Sequence, residues 1–77
     1  MTAKEMFEKL GYKQDKQKTH IVYYKFLKLN RELQIEFNFK FKSVEKRKVP
    51  GINSEPINFK ELKAINKQIE ELGWNNE

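Results

Sequence analysis

The stretch LQIEFNFKF, residues 33–41, decides the fold. Leu33, Ile35, Phe37, Phe39 and Phe41 alternate with Gln34, Glu36, Asn38 and Lys40. Successive side chains of a strand point to opposite faces, so a period of two predicts one buried face and one wet face. Wound as a helix, the same apolar residues would spread around the axis. A strand running on to Val49 would be about 17 residues long, against a usual 3–10. The reading therefore stops the strand near Phe39, sets a turn near Lys40–Ser43, and begins another strand over about 44–48. Val44 and Val49 have opposite parity, which predicts a bulge or an early strand end. With Val44 inward, Lys46 and Lys48 share its side, where long stems at a sheet edge can reach out to water.

Upstream, HIVYYKFLKL (20–29) is rich in β-branched and aromatic residues and reads as a strand. Val22, Tyr24 and Phe26 share one face; Ile21, Tyr23, Leu27 and Leu29 share the other. Asn30-Arg31-Glu32 reads as the hairpin turn to residues 33–39, because Asn tolerates positive φ. KQDKQKT (13–19) is wholly polar and reads as a loop.

Helices flank the strands. Residues 2–10 carry a capping box, Thr2 with Glu5, and an apolar face of Met6, Phe7 and Leu10. After the Pro- and Gly-punctuated loop 49–56, Asn58 caps a helix over 58–72, with Glu61 three residues on. Leu62, Ile65, Ile69 and Leu72 form its apolar stripe. EKLGY (8–12) and EELGW (70–74) read as two helix stops. Gly11 and Gly73 take the left-handed conformation, so the following aromatics should pack back, Tyr12 on Phe7 and Trp74 on Ile69. Asn75, Asn76 and Glu77 are expected to fray. The order α-β-β-β-α predicts a two-layer α+β domain: a three-stranded antiparallel meander with both helices on one face.

Composition narrows the function. One domain spans residues 1–77. With no cysteine there is neither disulfide nor thiolate metal site, and His20 stands alone. No phosphate-loop or dinucleotide fingerprint occurs. His20, Asp15, Ser43 and Ser54 form no recognisable nucleophilic set, so no enzyme and no cofactor are expected. No apolar run approaches a membrane span, and the N-terminus lacks a signal-peptide core, so the expected setting is cytoplasmic. Residues favouring A+T-rich codons dominate, which suggests an A+T-rich genome.

The net charge of +5 is unevenly placed. Residues 13–48 hold eleven Lys/Arg against four Asp/Glu, whereas residues 49–77 hold three against five. A basic middle suits an anionic partner. The candidate contacts are Lys25, Lys40, Lys42, Lys46, Arg47 and Lys48 for phosphates, with Tyr23 as a stacking platform if it faces outward. The competing reading is edge protection by lysines. A second candidate is the apolar outer face of the first strand, with Ile21, Tyr23 and Leu27, as a surface for a second copy or another protein. The alternative there is that these residues tuck under loop 13–19.

TAKEMFEKLGY, LQIEFNF and INFKELKAINKQIEELGW together resemble small phage- or prophage-encoded proteins of low-GC Gram-positive bacteria. KRKVPGINSEP fits that group less well. The resemblance implies an α-β-β-β-α domain in a mobile-element setting. It supplies no catalytic or binding residues.

Overall fold

The alternation in residues 33–39 is realised as a central strand in the computed structural model, which describes residues 1–51 and 53–74. The elements are α1 (Ala3–Lys9), β1 (Lys13–Lys16), β2 (His20–Phe26), β3 (Glu32–Asn38), β4 (Ser43–Val49) and α2 (Phe59–Leu72). The sheet is antiparallel, with four strands in the order β1-β2-β3-β4. The expected three strands become four because Lys13–Lys16 pairs with Tyr24–Ile21. A short charged strand at an edge buries almost nothing, so no hydrophobic pattern marks it. The frayed terminus expected for Asn75, Asn76 and Glu77 lies outside the described residues.

One sheet face carries Ile21, Tyr23, Ile35 and Phe37, all buried, and α1 and α2 cover it with Phe7, Ala64 and Ile65. Aromatic rings hold the two layers together. Phe7 stacks on Tyr23 at 3.9 Å between ring centres, and Phe37 meets both edge-on. Burying a side chain of this size contributes roughly 1.5–3 kcal/mol. On β2 the structure corrects the expected outer face. Ile21 and Tyr23 point at the helices, and Val22, Tyr24 and Phe26 lie on the open side.

β2 ends at Phe26 rather than at residue 29, because Leu29 and Asn30 both take positive φ, 62° and 59°. Two consecutive left-handed residues give the turn whose twist matches a hairpin, and the Leu27 N–H donates to the Arg31 carbonyl at 2.7 Å. β4 carries no bulge: its pairing with β3 is continuous from Asn38↔Ser43 to Glu32↔Val49. Lys46 does point inward with Val44, but its stem does not run out to water. It is only 9% exposed, and its ammonium meets Glu61 at 2.8 Å.

Both helices begin with complete capping boxes, Thr2 with Glu5 and Asn58 with Glu61. α1 ends as the EKLGY spacing predicts. Gly11 has φ +93°, its N–H donates to the Glu8 carbonyl, and the Tyr12 N–H donates to the Phe7 carbonyl. The Tyr12 ring then stands edge-on to Phe7 at 5.8 Å. At the end of α2, Gly73 (φ +74°) donates to Glu70, and Trp74 lies 6.3 Å from the Phe37 ring. The buried face of α2 is Glu61, Ala64, Ile65 and Gln68, and Leu62 is largely exposed. Ile65, Ile69 and Leu72 of the expected stripe do pack on the core, and Glu61 and Gln68 join them there, each meeting a buried polar partner from the sheet or from Tyr12.

Candidate nucleic-acid interface

Of the basic residues of the middle segment, several bind other groups of the protein and several lie at one end of the sheet, while the exposed Lys13, Lys28 and Arg31 lie toward the opposite end. Lys25 donates to the Leu10 carbonyl at 3.0 Å and lies over the Tyr12 ring at 5.5 Å. It thereby satisfies a carbonyl that the end of α1 leaves open. Lys46 donates to Glu61 at 2.8 Å and to the Pro56 carbonyl at 2.9 Å. Arg47 sits on the open face and meets Glu36 at 2.7 Å, Gln34 at 3.2 Å and Glu45 at 3.7 Å. Lys48 pairs with Glu55 at 3.3 Å.

Tyr23 is fully buried, so it is not a stacking platform. Its hydroxyl donates to Gln68 and accepts from Gln14. Burial foremost, with Glu71 and Glu8 adding to it, pushes its pKa up against the opposing Gln14 hydrogen bond. Even rows of cations on β4 are thus mostly spent on the protein itself. Among the described residues no group of three His, Cys, Asp or Glu side chains could hold a metal ion, and no helix is long and apolar enough to cross a membrane.

Lys40 and Lys42 lie outside β4. They belong to the turn between β3 and β4, at the same end of the sheet as the turn between β1 and β2. A hydrogen bond ties the two turns together, from the Phe39 N–H to the Thr19 carbonyl at 3.1 Å. Within the first turn, the Gln17 N–H donates to the His20 carbonyl at 2.8 Å. In the second, the Asn38 side chain accepts the Phe41 N–H at 3.1 Å, and Lys42 takes φ +50°.

The paired turns bring Lys16 and Lys18 beside Lys40 and Lys42, all with exposed side chains. Residues 16–20 and 38–43 contain these four lysines and no carboxylate. Phe41 lies between Lys40 and Lys42 in the second turn, 71% exposed, with the Lys40 ammonium 5.4 Å from its ring centre. The result is a basic tip with an accessible aromatic face. Lys16 and Lys18 were missing from the sequence-based set because a loop reading gives residues 13–19 no neighbour. Once Lys13–Lys16 pairs with β2, the hairpin that follows must lie at this end.

Compared with family models, with characterised proteins and with solved structures, the chain matches none.

Proposed function

We propose that the protein is a small phage-type accessory protein that binds single-stranded nucleic acid weakly and without sequence preference, through the paired turns. The observation that carries this reading is that Lys16, Lys18, Lys40 and Lys42 lie at one end of the sheet, in or beside two turns joined by a hydrogen bond, with the exposed Phe41 in one of them. Lysines release counterions from a phosphate backbone, and an open aromatic ring stacks with any base. The likeness of the chain ends to phage-encoded proteins supports the setting, which is cytoplasmic and non-enzymatic in this reading. The test is a titration of a labelled oligothymidylate at low and moderate salt. Binding should weaken steeply with salt, and Lys16→Glu/Lys40→Glu should flatten that dependence. Phe41→Ala should weaken binding by roughly 1–3 kcal/mol, the range for one base–aromatic stack. No salt-dependent binding at roughly tens of micromolar protein would sink the proposal.

A second reading, self-association, draws on the open sheet face. Val22, Tyr24 and Phe26, together with Gln14, Asp15, Glu32 and Gln34, line a depression of about 470 Å³ there, with Phe26 69% exposed. Light scattering that returns a monomer mass at high concentration would remove it.

A further inference from the structure

The solvent side of the helical layer carries a second surface of different character. Met6, Lys9 and Leu10 of α1 face Lys60 and Lys63 of α2 across a groove of about 210 Å³, with Met1 at its margin. Met6 and Leu10 are half-buried and pack on the core, so the groove has a fixed apolar floor. Its walls are almost wholly carbon, because the lysines contribute their methylene stems and hold their ammoniums at the rim. The Lys63 ammonium lies 4.8 Å from the centre of the exposed Phe59 ring, which carries the apolar surface past the groove's edge.

The rim lysines lack ion-pair partners among the described residues, although the Lys9 charge does help to lower the Glu5 pKa. Elsewhere Lys46, Arg47, Lys48 and Lys67 each meet a carboxylate within 4 Å. Lys9 and Lys60 form no ion pair among the described residues. An apolar trough between unpaired cations fits a ligand with an apolar ridge flanked by anions.

We propose that this groove docks an acidic amphipathic helix of another protein. The ridge of Leu, Ile or Met side chains at i, i+3 and i+4 would enter between α1 and α2. Carboxylates on either side of that ridge would meet Lys9 on one wall and Lys60 and Lys63 on the other. This is the helix-in-groove mode of recognition, and methionine adapts its shape to varied ridges. A membrane surface is the poorer fit, since only Met1 and Phe59 protrude here while the floor of Met6 and Leu10 is half-buried. Nucleic acid fits less well, because the groove lining is almost wholly apolar and offers no polar group to read a base. The surface is small, so affinity should be modest, with Kd on the order of 10–500 µM.

The chain has two methionines, and both line the groove. Methyl NMR of the ¹³C-labelled methionine ε-carbons therefore reports on this surface directly. The probes are a synthetic helix of about five turns, with Leu on one face and Glu on both flanks, a polyglutamate peptide of equal length, and phosphatidylglycerol/phosphatidylcholine vesicles. The amphipathic peptide should shift both methyl signals saturably, and polyglutamate should not. Lys60→Glu/Lys63→Glu should weaken that binding at least about tenfold, or 1.4 kcal/mol, while far-UV circular dichroism stays unchanged. The same variant should gain binding to a peptide with Lys in place of Glu. If the charge reversal perturbs the fold, Lys60→Gln/Lys63→Gln carries the same test without the charge-swapped peptide. Absent shifts, equal shifts with polyglutamate, or a response to vesicles alone would overturn the proposal.

Discussion

Glu61 gathers three donors on one buried carboxylate. The Lys46 ammonium donates at 2.8 Å, the Tyr12 hydroxyl at 2.6 Å and the Asn58 N–H at 3.1 Å. Burial is the largest influence and raises its pKa. The hydrogen bonds from Lys46, Tyr12 and Asn58, with the Lys46 charge, together outweigh it and hold the carboxyl below its ordinary value. A carboxylate with a lowered folded pKa contributes stability above the unfolded value of 4.5, and that contribution is lost as pH falls through the folded value. Glu61→Gln should flatten the acid limb of a stability–pH profile measured by urea unfolding. At neutral pH the same variant should lose roughly 3–5 kcal/mol, because it leaves the Lys46 charge buried without its counter-charge. Tyr12 works at the other end of the scale. Burial and the hydrogen bond to Glu61 push its pKa well above 10.0. Its contribution is complete below 10.0 and is lost as pH rises further, so Tyr12→Phe should flatten the alkaline limb.

At the scale of elements, turn chemistry sets the next expectations. Leu29 is 87% exposed and sits at φ 62°, so it carries backbone strain and buries nothing. Replacing Leu29-Asn30 by Asn-Gly supplies residues that tolerate this turn and should stabilise by about 1 kcal/mol, read as a higher midpoint in denaturant. The two helix stops should differ. A Cβ at Gly73 would meet nothing within 4 Å, whereas one at Gly11 would press on Lys25 Cε at 3.3 Å. Gly73→Ala should cost about 1 kcal/mol from backbone strain alone. Gly11→Ala should cost more, because it also disturbs the lysine that caps α1. The helix starts, both glycine stops and the strands β2, β3 and β4 were legible in the sequence, since each rests on local spacing. β1 was not, because its place depends on hydrogen bonds to β2 that leave no trace in its own side chains. On α2 the packing of Ile65, Ile69 and Leu72 was legible, but the polar members of the buried face were not, for a related reason. Glu61 and Gln68 are inside because of partners distant in sequence, Tyr12, Lys46 and Tyr23.

Across the whole molecule, position in the fold sorts the cations more than their order in the chain does. Lys46, Arg47 and Lys48 are adjacent in sequence, yet strand alternation sends Lys46 into the interior and Arg47 to the open face. Lys16 and Lys40 are far apart in sequence, yet two hairpins set them at one end. A charge count over residues 13–48 detects the excess and cannot say where it collects. Binding at the tip and docking at the groove should accordingly be separable. Lys60→Glu/Lys63→Glu should leave oligothymidylate affinity within about twofold, allowing for screening over a Debye length of roughly 8–10 Å. A parallel loss of both would show that general charge, and not the two surfaces, governs binding. The inward Lys46 also has a consequence for how the sheet assembles. A one-residue slip of β4 exchanges its two faces. Either slip would turn Val44 out to water; one would set Glu45 against Glu61, and the other would bring the bulkier Arg47 there. We predict that Lys46→Met/Glu61→Gln retains most of the parent's resistance to denaturant but shows doubled amide signals along β4, and a single set would refute it. On this view the buried pair acts chiefly as a proof-reader, penalising misaligned sheets while the chain folds.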